Sequence, residues 1–351
     1  MFESQGIRTY GDVFDRPVRQ EKEIESVTEI PDANGVTAYY IINYKGSGFL
    51  ILAADNRVNP ILAYSETNCF PVDSGSRPEG LVDWMNGTKE HIETVRAENR
   101  EQSAEMQIAW SKAYTQNALY GPDEVDPDPK PGFTSCRDYD VYEQKGPMLK
   151  TQWDQIEGYN DLVPKNCGEG KALTGCFATA MAQVMRYYKH PNNYNWDAMP
   201  DNGGSTEIAV LMRDIGTAVK MDYGCDGSGA TNKNAVSAFK NKFGYTSAKE
   251  ADFYGYTVRE QLAGGLLVLL SGGTKKGLQY VNGHMWVCDG YDYAYVHLDT
   301  FDCMQAYGRL LLHMNWGWGS NYDGWYDFNN WNPGTHEYND RKKMIYELSR
   351  F

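Results

Sequence analysis

The sequence predicts an α+β chain made of two units, and three observations carry that expectation. Residues 121–132 read GPDEVDPDPKPG, with four prolines and four acids in twelve positions. Such a stretch forms neither a helix nor a central strand, so it marks a boundary. Beyond it, helical periodicity dominates to about Gly244, and short alternating apolar runs dominate afterwards. A helical half followed by a strand-rich half predicts α+β with two lobes. At 351 residues the length suits two domains of ordinary size. The expected division is a first unit over 1–120, an exposed linker over 121–141 and a second unit over 142–351.

In chain order, residues 36–44 and 49–53 alternate around Lys45-Gly46-Ser47-Gly48 and read as a hairpin, with another strand over 60–65. From Glu79 to about Ala113 the pattern turns charged and helical, through Leu81, Trp84, Met85, His91, Ile92 and Val95. In the second unit, Phe177, Ala180, Met181, Val184, Met185 and Tyr188 repeat at helical spacing, and Pro191 closes that helix. Further helices are expected over 208–219 and 233–243, then strands over 266–270, 285–291, 295–299, 309–315 and 324–328. Gly272-Gly273-Thr274-Lys275-Lys276-Gly277 lacks the spacing of a phosphate loop and reads as a mobile loop rimming a cleft.

Composition narrows the function classes. Net charge is −14, from 33 basic and 47 acidic residues, which argues against a nucleic-acid partner. The longest aliphatic run, 266–270, is far short of the roughly 20 residues that span a bilayer. Cysteines stand at 69, 136, 167, 176, 225, 288 and 303 without a CxxC spacing, so neither a zinc site nor a redox motif is supported. The odd count permits one free thiol plus pairs, and equally seven unpaired thiols. The prolines of the acidic linker argue against an EF-hand-like calcium loop.

The chemistry points to a thiol. Cys176 opens its helix, where partial positive charge from unpaired N–H groups lowers a thiol pKa. A lone cysteine is more often structural, and two later segments shift the balance. Gly283-His284 leads into the strand-like Met285-Trp286-Val287-Cys288-Asp289-Gly290-Tyr291, and Asn315-Trp316-Gly317-Trp318-Gly319 follows. The order Cys, His, Asn-Trp is what a papain-like thiol protease requires, with Asn holding the imidazole in the useful tautomer. His91, His190, His297, His313 and His336 are better read as helix, core, edge or tail residues.

These segments resemble the streptopain family of bacterial cysteine peptidases. The blocks are GCFATAMAQVMRYYKHP, GHMWVCDGYD, NWGWGSNYDGWY and, upstream, TQWDQIEGYNDLVP. AYYIINYKGSGFLILAADNRVNPILAYSET is similar to the pro-segment of such zymogens. The resemblance implies a papain-like two-lobed fold behind a small α+β pro-domain, with no metal or organic cofactor. It implies Cys176 as nucleophile, His284 as acid/base, Asn315 as imidazole partner and Trp316 as its shield. An oxyanion needs a donor besides the Cys176 backbone N–H, and one missing donor costs about 3 kcal/mol. Gln155 best matches the family pattern, with Gln152 as runner-up.

Two departures stand out. His284 and Asn315 are 31 residues apart, with 293–308 inserted into a usually shorter connection, and Gly158 stands where the family carries proline. The implied partners are protein or peptide substrates with a hydrophobic side chain two positions before the cut, the chain's own pro-domain as inhibitor, and an activating protease. Processing is expected between Trp110 and Gly146, with Lys130, Arg137 and Lys145 available to a basic-specific activator. The family is exported, so secretion or attachment to the envelope is expected, with the signal peptide absent ahead of Phe2 and Glu3. The alternatives are an amidase or acyltransferase using the same triad, and a non-enzymatic inhibitor-like binder.

Overall fold

The structure, a computed structural model, describes residues 22–72, 77–114, 141–276, 279–297, 306–327 and 342–349. The acidic linker, Lys130, Arg137, Cys136, Cys303 and His336 lie outside the described residues. One large antiparallel sheet organises the molecule. Its order is β1 (Ile24–Pro31), β2 (Thr37–Tyr44), β3 (Phe49–Ala53), β4 (Ile61–Ser65), β12 (Gly324–Asp327), β11 (Ala306–Asn315), β10 (Gln279–His297), β9 (Val268–Lys276), β13 (Lys343–Tyr346) and β8 (Lys249–Asp252). Strand β5 (Val141–Lys145) pairs with β10 off this path, and β6 (Asn166–Cys167) and β7 (Gly170–Lys171) form a small separate ladder.

The first four strands do not stand alone. Trp325↔Tyr64 and Tyr326↔Ala63 join β4 to β12, so the sheet of the first unit runs into that of the second. Two helices of the first unit, α1 (Glu79–Ala97) and α2 (Ala104–Tyr114), stand where the sequence reads one. The break between them holds Asn99 in the left-handed region at φ 47.

The two faces of β9, β10 and β13 take different cores, because side chains alternate along a strand. Leu270, Trp286, Cys288 and Met344 point to a core shared with Leu81 and Trp84 of α1. Leu269, Met285, Val287 and Ile345 point to a core shared with α3 (Cys176–Tyr188), α4 (Thr206–Ala218) and α5 (Asn232–Asn241). A sixth helix, α6 (Gly255–Ala263), precedes β9. No helix among the described residues is long and apolar enough to cross a membrane.

Two expectations need correction. The glycine-rich stretch expected as a mobile loop is strand through Lys276, paired to β10 through Gly272↔His284 and Thr274↔Val281. The runs expected as separate strands at 285–291 and 295–299 are one strand, β10, ending at His297. The apparent insertion therefore prolongs the β10–β11 hairpin, whose register runs from Val287↔Asn315 to His297↔Ala306. Cysteine pairing is also settled in part, since Cys167 and Cys225 form a disulfide while Cys69, Cys176 and Cys288 take part in none.

Candidate active site

Cys176 is the first residue of α3 and is buried. It stands in the first turn, where backbone N–H groups have no acceptor within the helix and point towards the end at which an oxyanion would form. Gly175 ahead of it holds φ 89, and a β carbon there would lie 2.8 Å from Met221. Only glycine turns the chain into α3 at this point without moving Met221. Gln155 is buried close by, its carbonyl accepting the Thr174 N–H at 3.1 Å. Half-buried Gln152 instead donates its backbone N–H to Asp201 O at 2.7 Å.

Asn315, at the end of β11, is fully engaged. Its Nδ2 donates to Thr151 O, and its Oδ1 accepts from Gln183 Nε2, both at 2.9 Å. Thr151 Oγ1 closes the ring by donating to Gln183 Oε1 at 2.7 Å, and the Gly317 N–H adds a second bond to Asn315 Oδ1 at 3.2 Å. Gln183 escaped the sequence reading. It is fully buried on α3, seven residues after Cys176 and thus on the same helix face. A glutamine on the cysteine's own face, two turns along the helix, was the available signal.

His284 lies on the other face of the sheet. It shares the side of Trp286, on which its ring stacks at 6.0 Å, and its Nε2 meets the backbone carbonyl of Trp316 at 3.1 Å. Burial pulls its pKa down to about 4, which the Trp316 carbonyl only partly offsets. The imidazole is therefore neutral at pH 7. Helix α1 covers this spot. A β carbon on Gly80 would fall 2.4 Å from Trp286 and 3.0 Å from Trp316, so the backbone of α1 touches both rings. Trp316 further packs on Trp286 at 4.9 Å and donates its indole N–H to Tyr322 O at 3.2 Å.

The structure thus groups Cys176 and Asn315 on the α3 side, joined through that helix by Gln183, and holds His284 apart with Trp316 beneath α1. A second polar cluster lies along the same strands. His313 Nδ1 and Asp289 Oδ1 are 2.6 Å apart, both buried, and Asp289 Oδ2 accepts the Leu149 N–H at 2.8 Å. Burial lowers the His313 pKa, but the Asp289 carboxylate overrides it and the net direction is upward. Asp323 accepts the Trp316 N–H at 2.8 Å, yet burial still pushes its carboxyl up to about 7. His313, expected as a core or edge residue, is a core residue with an ion-pair partner.

Comparison with known proteins identifies the family and the fold. Residues 153–193 and 192–326 match the peptidase C10 family, and residues 13–92 match the Spi protease inhibitor family. The chain belongs to the peptidase C10 family. It is 28% identical over 328 residues to a thiol protease/hemagglutinin PrtT of Porphyromonas gingivalis, covering 82% of this chain and 33% of that protein. It is 24% identical over 344 residues to streptopain of Streptococcus pyogenes, covering 84% of this chain and 75% of streptopain. The chain therefore spans about a third of the first relative and three quarters of the second. A prointerpain A fragment of Prevotella intermedia superposes with a TM-score of 0.62 at 23% identity, over 92% of this chain and 98% of that fragment. That likeness establishes the papain-like fold. A C10 peptidase segment behind an inhibitor-like segment is the arrangement of a cysteine-protease zymogen.

Proposed function

We propose that the chain is the latent proform of a cysteine endopeptidase in which Cys176, His284, Asn315 and Gln155 do the chemistry once the first unit has been removed. The observation that carries this is the diverted histidine. Its neighbours in sequence and sheet are in place, but its ring is stacked on Trp286 and bonded to Trp316 O beneath α1. A histidine neutral at pH 7 and turned away from the thiol forms no thiolate–imidazolium pair, so the proform is inactive for a stated geometric reason.

After activation, the Cys176 thiolate adds to the scissile carbonyl, and the oxyanion is met by the Cys176 N–H and the Gln155 amide. His284 gives its proton to the leaving amine, then takes one from the water that hydrolyses the thioester. Asn315 turns its Oδ1 from Gln183 to the imidazole, and Trp316 covers that bond. Substrates are proteins or peptides lying extended between the lobes. The Cys167–Cys225 disulfide supports an oxidising location, in keeping with export.

We place the division of the chain at residues 1–120, 121–141 and 142–351, with the activating cut inside the linker. Lys145 is a poor site for that cut, because β5 pairs residue by residue with β10 from Val141↔Tyr295 to Lys145↔Tyr291. The full chain, incubated with reductant and followed by mass and N-terminal sequence, should shorten to a product beginning within 121–141 and gain casein hydrolysis as it does so. Cys176→Ala should neither shorten by itself nor hydrolyse casein. Full activity of the uncut chain, or hydrolysis by Cys176→Ala, would sink the reading.

A further inference from the structure

Two chain segments meet beside the start of α3. The Gln155 carbonyl accepts the Thr174 N–H at 3.1 Å, two residues ahead of Cys176. From the other direction, the turn after Asn315 lies over the same end of the helix. A β carbon on Gly317 would fall 3.1 Å from Thr179, three residues beyond Cys176. The Gly319 N–H then donates to Trp153 O at 3.2 Å and ties this turn to the segment that carries Gln155. Asp154 occupies the junction. Its Oδ1 accepts the Gln155 N–H at 2.6 Å, and its Oδ2 lies 3.2 Å from where a Gly319 β carbon would be.

One of these two oxygens has a structural task. Holding the Gln155 N–H needs a single acceptor, which an asparagine amide oxygen would supply equally well. The negative charge has no counterpart, for among the described residues no Lys, Arg or His forms an ion pair with Asp154. Asp154 is half-buried, and burial pushes its carboxyl above the ordinary value, which the Gln155 N–H only partly offsets. A carboxylate partly withdrawn from water and without a cation favours a cation that is brought to it. Because residue 319 is glycine, no side chain from the turn crowds Oδ2.

We propose that Asp154 is a specificity-determining residue that receives a basic side chain of the substrate, Lys or Arg, on the leaving side of the cut bond. This rests on the roles proposed above for Cys176, Gln155 and His284. The oxyanion lies between the Cys176 N–H and the Gln155 amide, so the residue next to Gln155 borders the scissile carbonyl. The amine leaves towards His284, which Asn315 holds. The turn that runs on from Asn315 to Gly319 therefore borders the departing side, and Asp154 stands where the two borders join. An extended peptide advances about 3.3 Å per residue, which places the basic residue among roughly the first three after the cut.

The test uses the processed enzyme obtained by maturation of the full chain. Peptides of one core sequence, carrying Lys, Met or Glu in turn at each of the three positions after the cut bond, are compared by kcat/KM, with the cut located by mass. At one position Lys should be preferred over Met by about fivefold or more, the ratio expected of one half-buried charge pair, and Glu should be disfavoured there. That ratio should fall to about one in Asp154→Asn, which keeps an acceptor for the Gln155 N–H. In the native enzyme it should shrink as salt is raised, because a half-exposed pair is screened. A ratio near one at all three positions overturns the proposal, as does a ratio that salt leaves unchanged. A loss of rate in Asp154→Asn shared equally by the Lys, Met and Glu peptides would assign Asp154 to the Gln155 backbone alone and overturn it as well. Hydrolysis without basic preference removes this inference alone, whereas the absence of any Cys176-dependent hydrolysis removes the endopeptidase reading and this inference with it.

Discussion

Burying His284, which in the proposed mechanism later carries charge, makes the closed form sensitive to acid. The His284 pKa stands at about 4 in this structure, against 6.5 for a solvated imidazole. Between those values the open or unfolded chain binds more protons than the closed one, so the closed form loses stability as pH falls from about 6.5 towards 4. The loss is on the order of 3 kcal/mol across that window. Following Tm of the Cys176→Ala full chain from pH 7 to 4 and repeating it with His284→Gln added should show a flatter acid limb in the second. Asp323 and His91 are shifted as well but are present in both chains, so they cancel. Equal slopes would mean that His284 is not buried neutral. At this scale the sequence named Cys176, His284 and Asn315 by order and neighbours. It did not reveal Gln183, because what that residue does depends on packing against a segment 132 residues away.

Among the elements, α1 is the one that covers His284, and on the proposed reading latency turns on it. Its apolar stripe, including Leu81, Trp84 and Ile92, was legible from spacing and is buried in the larger core. What spacing did not show is that the helix approaches the catalytic strands through a glycine. Any side chain at Gly80 meets the Trp286 ring at 2.4 Å, far inside contact distance. Overpacking of this kind costs about 1–3 kcal/mol, which corresponds to roughly five- to 150-fold in the balance between docked and undocked helix. Gly80→Val should therefore free His284 to reach and activate the thiol, raising thiol-probe labelling of Cys176 in the unprocessed chain by a factor in that range, with Cys69 labelling as the internal reference. Unchanged Cys176 labelling would show that α1 is not the cover. Strand β9 carries the opposite lesson. Its glycines and lysines suggested a loop, and pairing with β10 and β13 overrode that local preference.

For the whole molecule, the consequence of a continuous sheet is that cutting the linker does not by itself release the first unit. Strand β4 stays paired to β12, and Phe49, Phe70 and Trp84 of the first unit pack against Tyr322 and Tyr326 of the second. Asn59 Nδ2 also donates to Asp327 Oδ2 at 2.6 Å in a buried position. After a single cut within 121–141, both fragments should co-elute in size-exclusion chromatography under native conditions, and should separate in denaturant. Activity should follow digestion of the first unit rather than the cut. Separate elution straight after the cut would show that the joined strands contribute little.

By itself the sequence supplied the groups of the proposed chemistry and their order along the chain. A cysteine at a helix start, a histidine at a strand mouth, an Asn-Trp pair and a proline-rich acidic break are local signals, readable within a few residues each. It also determined most helices and the first hairpin, since periodicity is a local property. Tertiary structure alone decided whether those groups meet. The sheet continues across the unit boundary, Asn315 is closed in a ring with Thr151 and Gln183, and His284 is turned to the face that α1 covers. The physical reason is that strand pairing and side-chain face are set by partners far away in sequence, and a strand's two faces are equivalent until something packs on one of them.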